Sequence, residues 1–335
     1  MKIYHQLSDF KKLDNAVVTI GTFDGLHIGH QKIISRLIEL AKNSNGESVL
    51  ITFFPHPRMI INPEDQSLKM INTIDEKTQM LAGLGVDHLI ITPFTRDFSN
   101  LSAEDYIREI LVERIGIKKI IIGYDHRFGK DRAGNIQTLI NNATVYNYEV
   151  EEIPEQEVSD VTVSSTKIRK ALLNGDVALA NNYLGYIFSL NGPVIKGDKI
   201  GRTIGFPTAN IFIAETYKLI PHDGIYAVTV EMDFEVKSEK TDSNTTLSTP
   251  NRQTFKGMAY IGQRPTINGM TRNIEVNIFD FNREIYGQNI KMNFLTFLRH
   301  DVKFTDLEEL TRNLQEDKRN TLAFFETHEK LNSDR

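Results

Sequence analysis

The chain has 335 residues, enough for two domains or one large one, each burying a real core. A net charge of -5, with 40% hydrophobic and 25% charged residues, is ordinary for a globular protein and argues against a broad nucleic-acid-binding face. There is no cysteine, which excludes disulfides, thiolate metal sites and cysteine nucleophiles, and no apolar run approaches membrane length, so we expect a cytoplasmic protein with neither a nucleic-acid nor a membrane partner.

Taken in order, the apolar run 17–20 ends in Gly21-Thr22-Phe23-Asp24-Gly25-Leu26-His27-Ile28-Gly29-His30. Ile33, Ile34, Leu37, Ile38 and Ala41 follow at helical spacing. The pattern predicts a buried strand, a tight loop and a helix, with the loop at the C-terminal edge of a parallel sheet. Free N–H groups and the positive end of the helix dipole favour phosphate there, and His27 and His30, three apart, can face it together. Neither the dinucleotide-binding glycine spacing nor the phosphate-binding loop with its Lys-Ser/Thr end is present. Spacing alone also allows a glycine-rich turn with two incidental surface histidines.

Residues 48–53 predict a second strand, running into Phe54-Pro55-His56-Pro57-Arg58, where two prolines fix the backbone around His56. Such a strand end suits a ligand contact and a plain strand stop equally. A helix is expected over 73–84, with Thr73 and Glu76 as a capping box, then a strand over 87–91. Phe94 and Phe98 could wall a flat ring or plug the core. A helix over 103–115 and a strand over 119–122 lead to Gly123-Tyr124-Asp125-His126-Arg127-Phe128-Gly129-Lys130-Asp131-Arg132-Ala133-Gly134, a poor core segment and a candidate phosphate loop. Ser164-Ser165-Thr166-Lys167-Ile168-Arg169 opens another helix; its hydroxyls are ordinary N-caps, and Thr166 and Arg169 can share a face.

The pattern changes near residue 184. Short β candidates at 187–190, 211–213, 225–230, 255–261, 273–279 and 290–297 predict a small antiparallel barrel, with a polar hairpin loop over 237–253 and a helix over 306–326. The chemically dense string is Gly201-Arg202-Thr203-Ile204-Gly205-Phe206-Pro207-Thr208-Ala209-Asn210. Thr208 and Asn210 point to one face of an extended strand, and oxygen ligands of that type suit Mg2+. Glu275, further on, could orient or deprotonate an attacking hydroxyl, although an isolated strand Glu normally faces solvent.

Five of these strings, in this order, resemble the motifs of bacterial bifunctional riboflavin kinase/FAD synthetases, and His-x-Gly-His resembles the wider nucleotidyltransferase signature. The resemblance implies an α/β, Rossmann-like nucleotidyltransferase domain over 1–184 and a mostly-β small-barrel riboflavin kinase domain with a C-terminal helix over 185–335. It implies phosphorylation of riboflavin to FMN by ATP, then adenylylation of FMN to FAD, with Mg2+ required and these small molecules as partners; transient self-association is admitted. His27 and His30 would contact ATP phosphates and stabilise charge on the transferring group. Gly21, Phe23, Asp24, Gly25, Gly29, His56, Asp125, Arg127, Phe128 and Arg132 would line the nucleotide–flavin site, and Ser164, Ser165, Thr166 and Arg169 would bind triphosphate. In the barrel, Gly201, Arg202, Gly205 and Pro207 would cradle nucleotide, Thr208 and Asn210 would hold the metal-nucleotide, and Glu275 would be the base. Two departures stand out: His126 replaces the family's usual Phe, and Asn277 its usual His. They leave open an enzyme with a single working domain; the other alternative is a non-catalytic flavin- or nucleotide-binding protein whose barrel serves partner recognition, against which the retained Thr208, Asn210 and Glu275 argue.

Overall fold

The computed structural model describes residues 1–335 apart from 66, 155–162, 198–199, 236–249, 268–269 and 334–335. Most of the expected hairpin loop, 237–249, lies outside the described residues, whereas 250–253 belong to a strand. The chain forms two compact units: Met1–Thr166 together with Tyr217–Leu219, and Lys167–Thr216 together with Ile220–Arg335.

In the first unit, β1 (Lys2–Tyr4), β2 (Ala16–Ile20), β3 (Glu47–Phe53), β4 (His88–Thr92), β5 (Ile117–Gly123) and β6 (Glu149–Ile153) form one parallel sheet in the order β1-β4-β3-β2-β5-β6. Its helices are α1 (Ile28–Asn43), α2 (Pro57–Ile61), α3 (Ile74–Leu84), α4 (Arg96–Ser99), α5 (Ala103–Asp105) and α6 (Ile136–Tyr146). Both sheet faces are covered, which is why β2 and β4 are buried throughout. Val18 and Ile120 pack with Ile107 and Leu111, while Val17 and Ile121 pack with Ile34 and Leu37. The expected helix over 103–115 continues from α5 as a π-helical stretch, Tyr106–Ile115, ended by Gly116 at φ 79°. The strand order reverses between β2 and β5, so the loops leaving those two strands flank the crevice where open parallel sheets bind ligands.

The second unit takes most of α7 (Ser165–Leu173), then α8 (Val177–Leu184). Its strands are β7 (Ser189–Ile195), β8 (Ala209–Ile211), β9 (Gly224–Glu235), β10 (Pro250–Ile267), β11 (Met270–Ile278) and β12 (Asn289–His300), with the short α9 (Ile200–Thr203) and the final α10 (Leu307–Ser333). The strands close into an antiparallel barrel, β10-β11-β8-β7-β12-β9, which leaves no free edge. Phe188, Tyr226 and Phe294 fill it. Leu314 of α10 packs with Phe206, Met258 and Phe279, and Arg299 holds the buried Asp317 through two 2.7 Å hydrogen bonds. A Rossmann-like sheet unit and a small barrel with a terminal helix are the architecture that the sequence pattern and the resemblance implied.

Candidate active sites on the sheet and in the barrel

The β2–α1 loop is tightly folded. Phe23 and Leu26 adopt positive φ (44° and 37°), and Gly25 sits at φ 84°, where an added Cβ would lie 2.9 Å from Ile71. Asp24 is buried and accepts the backbone N–H of Ile71 at 3.0 Å, while its own carbonyl accepts the Ser165 hydroxyl at 2.9 Å. The Thr22 carbonyl accepts Lys77 Nζ at 2.6 Å. Asp24 therefore acts as a bracket that joins three separated stretches of chain.

His27 is the N-cap of α1, its Nδ1 accepting the His30 N–H at 3.4 Å. The two imidazoles stack with centroids 3.6 Å apart, and the Phe23 ring meets His30 edge-on at 5.2 Å. Burial pushes His27 down to about 4, against the opposing charge of Asp125. Burial, His27 and Lys77 push His30 well below the usual histidine range. Both rings are therefore neutral at pH 7. His30 Nδ1 is buried with no hydrogen-bond partner, as is Nε2 of His126 on the neighbouring loop. The His30 nitrogen, on the first turn of α1, suits a phosphate oxygen, which would supply the missing partner.

The β5 loop supplies the facing wall. Asp125, Arg127 and Arg132 are exposed, while Phe128 is buried against Tyr106 and paired to Gly134 by two backbone hydrogen bonds. Burial pushes His126, stacked 5.8 Å from Phe128, down to about 4, with Asp125 opposing and Arg132 adding to the shift. His56 is the N-cap of α2, its Nδ1 accepting the Arg58 N–H at 3.1 Å. Phe94 and Phe98 pack against Phe53, and Phe98 also against Tyr106, which gives these rings the contacts of a plug. Ser164 and Ser165 are half-buried, Thr166 is exposed, and Arg169 falls in the second unit. Sequence reasoning passed over Lys77, which is buried and pushed down to about 8 by that burial. Its one local signal is its place on the apolar face of α3, four residues before Leu81.

In the barrel, Asn210 on β8 lies directly opposite Glu275 on β11, and Thr208 is two residues before Asn210 on the same face. Thr208 Oγ1 donates to Glu275 Oε2 at 2.9 Å, and Asn273 Nδ2 donates to Oε1 at 2.5 Å, so the carboxylate is held from both sides. With its proton committed to Glu275, the Thr208 oxygen keeps lone pairs for a cation. Asn277, which stands where the resemblance implies a His, is buried and donates to the Pro207 carbonyl at 2.7 Å, a task for a neutral amide. The approach to Thr208 turns tightly: Gly205 has φ 82°, Phe206 N–H donates to the Gly201 carbonyl at 2.7 Å, and a Cβ on Gly201 would overlap the Phe206 carbonyl. Arg202 and Pro207 are exposed beside this turn. Among the described residues no three His, Cys, Asp or Glu side chains gather into a metal cluster. Thr208 and Asn210, completed by phosphate oxygens and water, are instead the sparse oxygen set that Mg2+ accepts.

Known proteins match the same division. The FAD synthetase family profile matches residues 9–167 and the riboflavin kinase profile residues 184–325. The bifunctional riboflavin kinase/FMN adenylyltransferase of Listeria monocytogenes is 35% identical over 96% of this chain and 97% of its own. The protein of that name from Escherichia coli K12 is 32% identical over 96% of each. A solved Streptococcus pneumoniae structure named as a macrolide-efflux protein superposes with TM-score 0.81 at 31% identity, covering 96% of this chain and 98% of its own. Efflux does not carry over from that name, and among the described residues no helix is long and apolar enough to cross a membrane. Near-complete coverage of two-activity relatives, on a chain whose parallel-sheet unit and closed-barrel unit each match one of the two profiles, leads to one assignment: the chain belongs to the bifunctional riboflavin kinase/FMN adenylyltransferase family.

Proposed function

We propose that residues 185–335 phosphorylate riboflavin and that residues 1–184 adenylylate the resulting FMN, with the residues described above in the working roles. The protein is an enzyme of the riboflavin kinase/FAD synthetase class, and its chemistry is ATP- and Mg2+-dependent flavin synthesis. The observation that carries the division is the Thr208–Glu275–Asn210 grouping in the barrel, which stands on a different framework from the histidine loop.

In the barrel, the ribityl hydroxyl of riboflavin attacks the γ-phosphorus of ATP, forming the new P–O bond as the bond to the β,γ-bridging oxygen breaks and ADP leaves, while Glu275 orients that hydroxyl and accepts its proton. Asn273 and Thr208 keep the carboxylate aimed, Thr208 and Asn210 would hold Mg2+, and the Gly201–Pro207 turn would receive the nucleotide. Bound Mg2+ would supply charge neutralisation on the phosphates. On the sheet, an FMN phosphate oxygen attacks the α-phosphorus of ATP, forming the new P–O bond as pyrophosphate leaves. That nucleophile is already ionised, so no base is needed. His27, His30 and the α1 N-terminus hydrogen-bond the charge on the transferring group, and Ser164, Ser165, Thr166 and Arg169 bind the triphosphate. ATP as co-substrate supports a cytoplasmic site of action.

The test gives the purified protein riboflavin or FMN, with ATP and Mg2+, and separates the flavins by chromatography. Glu275→Gln should lower FMN formation about 100-fold or more while FAD formation from supplied FMN stays within a few-fold. His30→Ala should do the reverse, on a similar scale of about 100-fold. Equal loss of both activities in either variant would defeat the division.

A further inference from the structure

The tripeptide Tyr217-Lys218-Leu219 lies inside the stretch that the riboflavin kinase profile covers, yet it is part of the first compact unit. It runs parallel to Met70: the Met70 N–H donates to the Tyr217 carbonyl at 2.7 Å, and the Leu219 N–H donates to the Met70 carbonyl at 2.8 Å. The Tyr217 hydroxyl accepts the Ile74 N–H at 3.4 Å, and its ring packs edge-on against Phe54. Between them Lys218 is buried, its Nζ donating to the Ile71 carbonyl at 2.8 Å and to Glu76 Oε2 at 2.5 Å. The same Glu76 oxygen accepts the Thr73 N–H that closes the α3 capping box.

The two groups that Lys218 grips both lead to the histidine loop. Ile71, held by its carbonyl from Lys218, presents its N–H to Asp24, and its side chain crowds Gly25. Thr73 and Glu76 start the helix that delivers Lys77 to the Thr22 carbonyl. A buried ion pair is weak support for stability, since desolvation offsets most of its attraction. The arrangement gives this one a different consequence, because its lysine and its carboxylate fix the shelf on which the nucleotide loop rests.

We propose that Lys218, from the kinase-profile half of the sequence, is a positioning residue for adenylyl transfer. It acts through Ile71 and Glu76 on the Asp24–Gly25 turn and so on His27 and His30. The proposal rests on the adenylyl-transfer reading of the first unit, and the controls separate the two. Lys218→Met and the double variant Lys218→Met/Glu76→Gln are made in the full chain; the double variant removes both charges and keeps most of the volume. The measurements are kcat and KM for FAD formation from FMN, kcat for riboflavin phosphorylation, and a melting curve, all on the same preparations.

Both variants should lose about 10-fold or more in FAD-forming kcat, as expected when a reacting geometry drifts by a fraction of an ångström. KM for ATP and FMN should stay within a few-fold, and riboflavin phosphorylation should stay near the parent value. The double variant should melt close to the parent, so its loss cannot be assigned to unfolding. Unchanged FAD-forming kcat in a folded double variant, or matched losses in both activities, overturns the proposal. A parent protein that forms FMN and no FAD would instead overturn the reading beneath it.

Discussion

Histidine 126 shows what one side chain does to the acid side of the stability curve. Its folded value of about 4 lies below the ordinary 6.5, so between those limits the unfolded chain binds a proton that the folded chain refuses. Its contribution is intact above pH 6.5 and is lost as pH falls towards 4, by roughly 1–2 kcal/mol at pH 5 after allowing for solvent screening. His27 adds a loss of the same sign over the same window. His126→Phe, which installs the family's usual residue beside Phe128, should therefore reduce the fall in first-unit melting temperature between pH 7 and pH 5. An unchanged pH slope in that variant would mean that the ring is protonated in the folded protein. The closeness of His27 to His30 was legible because they are three apart in one string, and that of Thr208 to Asn210 because they alternate along one strand; Glu275, far along the chain, was joined to them only through the resemblance. Lys77 and Lys218 were not legible, because a lysine announces exposure until a distant carbonyl or carboxylate buries it.

At the scale of elements, apolar runs and caps carried the reading. The β2, β3 and β5 runs are bounded by Gly, Pro or Asp, and the Thr73–Glu76 box forms with both of its hydrogen bonds. The edge strand β1 was missed, since three residues with two exposed give no period to detect. The π-helical form of 106–115 was also invisible, because the apolar spacing that marks a helix does not state how far each N–H reaches. The β5 loop depends on one contact of this kind: a Cβ on Gly134 would sit 2.7 Å from the Phe128 ring, itself packed against Tyr106. Gly134→Ala should cost about 1–3 kcal/mol in the first unit, through forced repacking, and should weaken FAD formation. Calorimetry combined with the two flavin assays checks this, and unaltered melting would show that the ring moves aside freely.

For the whole molecule, the order of the sequence and the membership of the compact units disagree at Tyr217–Leu219. A fragment of residues 1–184 contains every residue proposed to touch ATP or FMN in adenylyl transfer but lacks that tripeptide and its Lys218. It also exposes Ile168, Leu172 and Leu184, which are buried in the full chain. Such a fragment should melt well below the first unit of the intact protein and should self-associate; a fragment that melts at the intact value would show that the tripeptide and the α7–α8 packing are dispensable.

The same feature bears on inheritance. Two halves joined end to end invite exchange, and a crossover near residue 184 looks neutral when only the catalytic strings are compared. Here that exchange would replace Lys218 with whatever the incoming barrel carries and set it against this chain's Glu76 and Ile71. On the proposed role of Lys218, a recombinant should keep FAD formation when the donor barrel brings its own lysine to that place and should lose it when the barrel does not.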